Sequence, residues 1–215
     1  MTKMIKNLEI KNFKSIKHLK LDCKKINVFI GEPNTGKSNI LESLGFLSFL
    51  DNEYSLKNFI RFENMINLYY DMNISNDIYF KFNGDTIQIK SIGNNFEVTC
   101  NKEHVATLNP SGGLSSAKRK VTIPPFKFYK FQIMTQFPRT EPNFLYPPHG
   151  DNLLTILLTN TEVRKDAYEL LNKFGLKLVV KPVEKIIEIQ KEIFGLIVSY
   201  PYTYFPIQCK ESYSI

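Results

Sequence analysis

GEPNTGKSNI, residues 31–40, places four residues between Gly31 and a Gly-Lys-Ser triplet. Whether it is a phosphate-binding loop decides how the chain around it folds. Gly31, Gly36, Lys37 and Ser38 satisfy the G-x-x-x-x-G-K-[ST] spacing. Such a loop, here completed by Glu32, Pro33, Asn34 and Thr35, must curl so that several backbone N–H groups converge on one anion. The helix that follows points its positive end at the same place. Glycine at 36 lets the backbone come close at positive φ, and asparagine at 34 is the next most tolerant residue for that conformation. Lys37 supplies a point charge to the β- and γ-phosphates, the Ser38 hydroxyl a ligand for Mg²⁺, and Asn39 a polar group in the first helical turn.

The same spacing also arises by accident in a Gly/Asn/Pro turn, and context separates the two readings. Upstream, KINVFI (25–30) is an almost unbroken apolar run, the pattern of a strand buried on both faces. Downstream, SNILESLGFLSFL carries Ile40, Leu41, Leu44, Leu47 and Phe49 or Leu50 at close to helical spacing. Strand, loop, helix is the order the chemistry requires.

Further out, IKNLEIKNFKSI and HLKLDC alternate apolar and polar residues, predicting an opening hairpin with its turn in KSIKH. Residues 51–76 read as helix and loop. IYFKFNGDTIQIKSIGNNFEVTC predicts an antiparallel meander turning at Asn83-Gly84-Asp85 and Gly93-Asn94-Asn95. LNPSGGLSSAKRK (108–120) reads as an exposed loop, FKFYKFQIM (126–134) as a strand, and FPRTEPNFLYPPHGD as a long connection. Asp151 or Asn152 is placed to cap a helix through LLTILLTN. A second helix ends at Gly175, and LKLVVK, KIIEIQK and FGLIVSY return to strand character. The expected organisation is residues 1–50 (strands, loop and following helix), 51–150 (antiparallel β lobe and loops) and 151–215 (helical segment, then strands), together one composite nucleotide-binding domain.

In a chain of 215 residues, 43% hydrophobic and 23% charged content excludes a disordered protein. The net charge of +7 permits a polyanionic partner. Much of the excess is lysine in the first 25 residues, where alternation reads as the wet face of a strand before it reads as a nucleic-acid surface. Lys118-Arg119-Lys120 is a further basic cluster. The three cysteines and three histidines lie too far apart for a local metal motif or a disulfide framework. No apolar run reaches the roughly 20 residues of a bilayer span, so the expectation is a cytoplasmic chain without membrane insertion.

IKNLEIKNFKSIKHLKLD followed by KINVFIGEPNTGKSNILESL resembles the N-terminus of ABC-type ATPases of the RecF, SMC, Rad50 and OLD kind, whose opening strands carry an N-F-[KR]-S turn. The resemblance covers about the first fifty residues. LYPPHGDNLLTILL is loosely similar to a segment of some OLD-like members. The N-terminal resemblance implies an α/β P-loop NTPase core with an antiparallel β lobe and a helical insertion, ATP and Mg²⁺ as cofactors, Lys14 near the nucleotide, and a setting in DNA maintenance or defence. It also implies a Walker B strand ending in Asp-Glu, an L-S-G-G signature and a glutamine loop. No apolar run followed by Asp-Glu occurs here, and Pro110-Ser111-Gly112-Gly113 lacks the leading leucine. Gln132 or Gln136 falls roughly where the glutamine loop, and with it a metal contact, is expected.

The resemblance thus implies a nucleotide-binding part that is incomplete at its C-terminus. A homologous head or a downstream polypeptide would supply the missing motifs, with DNA a candidate partner. The rival readings are a non-catalytic nucleotide-binding or interaction module, a transporter-type ABC ATPase, and a nucleic-acid module that acts without nucleotide.

Overall fold

The computed structural model describes residues 4–50, 55–117, 127–130, 132 and 134–201. They fall into two compact units, residues 1–128 and 129–215.

In the first unit, β1 (Asn7–Phe13) and β2 (Ile16–Asp22) form the expected hairpin. Its turn is only Lys14-Ser15, tighter than KSIKH, with Lys14 at φ 52° and its N–H donating to the Leu68 carbonyl at 2.9 Å. Next come α1 (Lys37–Phe49), the short α2 (Leu56–Phe59) and two 3₁₀ turns. The meander follows as β3 (Ile78–Phe82), β4 (Asp85–Ile92), β5 (Asn95–Cys100), β6 (Glu103–Leu108) and β7 (Leu114–Ala117). All seven strands join one sheet in the order β2-β1-β3-β4-β5-β6-β7, antiparallel throughout. The return of β3 to β1 sets Ile10 opposite Phe80 and Leu8 opposite Phe82. Because side chains alternate across a strand, Leu8, Ile10, Phe80, Phe82, Ile87, Ile89 and Val98 share the buried face. Phe46 of α1 lies 5.6 Å from Phe80, and Phe13 meets Phe80 edge-on at 5.2 Å.

Four expectations need correction here. Lys25–Ile30 joins no strand pair among the described residues, and Ile26, Val28 and Ile30 are 78%, 74% and 90% exposed. An apolar run specifies what a segment can bury, but a strand also needs a neighbour to hydrogen-bond. Helix α1 is not striped as its spacing predicts: Leu41 is exposed, while Glu42, Ser43, Gly45 and Ser48 are buried beside Phe46, Leu47 and Phe49. The small residues let Phe59 and Phe128 approach, so the buried surface wraps around the helix. The glycine-rich stretch after residue 108 contains β7, whose Leu-Ser-Ser-Ala is exposed at every position. An edge strand can be held by its ladder alone. Residues 127–130 of FKFYKFQIM are in no strand. Phe128 instead donates its N–H to Ser48 Oγ at 3.1 Å and packs near Phe59. Phe126, Phe131 and Ile133 lie outside the described residues, as does Lys118-Arg119-Lys120.

The second unit holds α3 (Leu153–Thr159), α4 (Thr161–Asn172), and a three-stranded antiparallel sheet of β8 (Leu176–Lys181), β9 (Ile186–Ile193) and β10 (Leu196–Pro201), ordered β10-β9-β8. Phe137, Leu154, Leu157 and Ile187 form its core. Asn160 caps α4 through the Val163 N–H, and Gly175 ends that segment at φ 69°. Asn152 occupies the cap position of α3, yet its side chain serves the proline-rich connection. It accepts from the Tyr146 N–H at 2.7 Å and donates to the Glu141 and Phe144 carbonyls at 2.6 and 2.7 Å.

Phe80 touches β1 and α1 aromatics at once, so Phe80→Ala is expected to destabilise the first unit by about 3–5 kcal/mol, measured by urea unfolding. A loss below about 1 kcal/mol would show that this cluster is not the centre of the core.

Candidate phosphate-binding site

Gly36 is the residue on which the loop turns into α1. It holds φ 89° and ψ 3°, a left-handed conformation that costs a side-chain-bearing residue about 1 kcal/mol or more. A Cβ there would lie 3.0 Å from Ser15 Oγ. Asn34, the other residue chosen for tolerance, stands at φ 63°. The N-terminus of α1 has no side-chain cap and no acidic residue in its first turn. Its leading N–H groups and the positive end of its dipole are therefore directed at the loop.

Lys37 lies back across that loop. Its Nζ donates to the Gly31 carbonyl at 2.7 Å, to the Glu32 carbonyl, and to Thr35 Oγ1 at 3.1 Å, while the Thr35 hydroxyl donates to the Glu32 carbonyl at 2.9 Å. These partners are uncharged oxygens, which lack the direct Coulombic attraction that a phosphate anion adds to a hydrogen bond from the ammonium. A phosphate oxygen offered here would draw the ammonium away. Residues 31–35 and Ser38 are exposed, so the loop is open to a ligand.

The β1–β2 turn is fastened to this helix. Asn39 Nδ2 donates to Ser15 Oγ at 2.7 Å, and Lys14 Nζ pairs with the Glu42 carboxylate and donates to the Arg61 carbonyl at 2.6 Å. Arg61 Nε donates to the other Glu42 oxygen, also at 2.6 Å. Glu42 is 7% exposed and Lys14 14% at the side chain, so this ion pair is shielded from water. Sequence reading missed Ser15, Glu42 and Arg61. The available signal was one carboxylate in an otherwise apolar helical stretch.

Other expected features have a structural occupation. In Pro110-Ser111-Gly112-Gly113, the Asn109 side-chain oxygen accepts from the N–H groups of Ser111 and Gly113 at 3.0 and 2.9 Å, and a Cβ on Gly112 would meet Phe62 at 2.4 Å. That glycine pair shapes the β6–β7 turn, whose N–H donors are already satisfied. Gln132 and Gln136 belong to the second unit, exposed and outside its strands. Among the described residues no group of three or more His, Cys, Asp or Glu is placed to hold a metal ion, and no helix is long and apolar enough to cross a membrane. Several N-terminal lysines sit on the wet face of the hairpin. Lys11, His18 and Lys20 gather around Glu9 at 3.1, 2.8 and 3.9 Å, and the His18 hydrogen bond, helped by the lysines, holds the Glu9 carboxyl below the usual carboxylate range.

A family model described as an AAA ATPase domain matches residues 4–194. An ATP/GTP phosphatase of Helicobacter pylori is 49% identical over 45 residues, which amount to 20% of this chain and 12% of that protein.

Since Gly36 requires positive φ and clear space toward Ser15, Gly36→Ala is expected to lower stability by about 1–3 kcal/mol, read from the urea midpoint. An unchanged midpoint would mean that the loop does not hold this conformation.

Proposed function

The chain belongs to the AAA ATPase domain family, and on that footing we propose that it is the ATP-binding portion of an ABC-type ATPase of the RecF/SMC/Rad50/OLD kind. The observation that carries this reading is the loop at Gly31–Ser38, turned by a left-handed Gly36 onto the uncapped end of a 13-residue helix. Backbone N–H groups of the loop at residues 31–38, all but Pro33, which has none, cradle the phosphates, Lys37 neutralises them, and Asn39 assists from the first helical turn. Lys14, which the resemblance puts near the nucleotide, precedes Ser15 in the turn beside Gly36, and its ammonium is held by Glu42 and the Arg61 carbonyl.

Mg²⁺ fits this donor set, because the ion keeps several waters and commonly takes one or two protein oxygens plus phosphates. Ser38, exposed at the start of α1, supplies such an oxygen. The bound ion would neutralise charge on the β- and γ-phosphates.

Hydrolysis also needs a carboxylate for the metal and a group that orients water. Glu42, the buried carboxylate of α1, is engaged by Lys14 and Arg61. A homologous head or a downstream polypeptide would therefore supply Walker B and signature elements, and the exposed Ile26, Val28 and Ile30 beside the loop support such a partner. By resemblance, the setting is cytoplasmic DNA maintenance or defence, with ATP-driven closure coupled to DNA. The second reading is a nucleotide-binding module without turnover, favoured because Glu42, the buried carboxylate of α1, is already engaged by Lys14 and Arg61.

Titration with a fluorescent ATP analogue and Mg²⁺ tests the binding claim. The wild-type chain should bind, and Lys37→Ala should weaken binding by about tenfold or more. Equal affinity in both would refute the loop assignment. The chain alone should show little ATPase activity. Multiple turnover abolished by Lys37→Ala would overturn the need for a partner, and turnover restored by a supplied downstream polypeptide would separate the split enzyme from the silent module.

A further inference from the structure

The β1–β2 turn grips the phosphate-loop helix at two levels. At the first turn of α1, Ser15 Oγ lies against Gly36 and accepts from Asn39 Nδ2. One turn further, at a residue four beyond Ser38 and so on the same helix face, Glu42 takes Lys14 on one oxygen and Arg61 Nε on the other. Lys14 is bound at three points: its N–H to the Leu68 carbonyl, and its Nζ to the Glu42 carboxylate and the Arg61 carbonyl. Its left-handed φ of 52° is a conformation that persists where the surroundings hold it. Ser15 follows directly in the chain, so the position of its hydroxyl depends on where Lys14 is anchored.

We propose, resting on the nucleotide-binding reading above, that Glu42 is a positioning residue for the phosphate loop. Through Lys14 it holds the Lys14-Ser15 turn against α1, so that Ser15 keeps Gly36 and Asn39 in the shape that receives phosphate. Neutralising Glu42 leaves two cations facing each other without their shared anion. Lys14 then moves toward water, and Ser15 loses its registration on Gly36.

The test is a double-mutant cycle with two readouts. The Kd of the fluorescent ATP analogue with Mg²⁺ is measured for wild type, Glu42→Gln, Lys14→Met and the double variant. Amide hydrogen exchange is followed without nucleotide. Glu42→Gln is expected to raise Kd by on the order of tenfold. Added to Lys14→Met, it should change Kd by less than about twofold, because the two act as one unit. Exchange at residues 36–40 should quicken in each single variant while the protection of β3–β5 stays as in wild type.

A folded Glu42→Gln protein with wild-type Kd and wild-type exchange at 36–40 overturns the proposal. So does a Kd effect that persists undiminished in the Lys14→Met background. Should Glu42→Gln fail to fold, Ser15→Ala removes only the last contact of the same path, and unchanged exchange at 36–40 in that variant overturns it equally. Failure of the wild-type chain to bind the analogue refutes the nucleotide reading alone, since the exchange measurement still decides whether Glu42 sets the loop.

Discussion

A loop that binds an anion through its backbone must hold its N–H groups pointing inward before the ligand arrives. The chain meets this constraint at one residue, Gly36, whose left-handed turn aims the start of α1 at the loop. The conformation is costly for a residue with a Cβ, and a Cβ there would also come within 3.0 Å of Ser15 Oγ. The hairpin that carries Ser15 is fixed in turn by β1, which is paired on both sides. Rigidity therefore passes from the aromatic core through β1 to the turn, and from the turn to the loop. A site built this way is preorganised by strands, although its contacts with ligand come from a loop.

On its other side the loop is fed by Lys25–Ile30, and there the support is of a different kind. Its apolar side chains are exposed, and no backbone ladder holds it among the described residues. Three large aliphatic side chains in six residues represent several kcal/mol of unburied transfer free energy. A monomeric surface seldom leaves such a run uncovered next to a ligand site. The loop thus has one wall supplied by this unit's own sheet and another whose side chains face solvent.

The local rules that read well from sequence were those whose cause lies within a few residues. Asn83-Gly84 and Gly93-Asn94 announce turns because only such residues take positive φ cheaply, and the meander follows them. The loop itself was legible because its spacing encodes backbone shape. Legibility failed where the cause lies elsewhere in the chain. The order β2-β1-β3 depends on a return from residue 78 to residue 8, which no periodicity records. Strand β7 has no apolar face to announce it, and Phe128 reads as strand but serves as a plug beside α1. At the site, Gly36 and Lys37 could be named at once, whereas Ser15, Glu42 and Arg61 come from three segments that only the fold brings together.

Glu42 shows why such a residue escapes a reading by pattern. A carboxylate at 7% exposure inside an apolar helix violates the expected partition and would carry a large desolvation cost alone. Two cations and a short helix-to-turn distance offset that cost, but the balance is fine, because a buried pair replaced by apolar side chains of similar volume is often no less stable. Stability is therefore a weak reason for the charge to be there. What the pair provides and an apolar contact would not is direction. A charge-assisted hydrogen bond fixes the angle as well as the distance of Lys14, and so the position of the residue after it. Because that residue lies against Gly36, the choice of a buried charge over a hydrophobic contact is accounted for by the shape of the loop more than by the strength of the core.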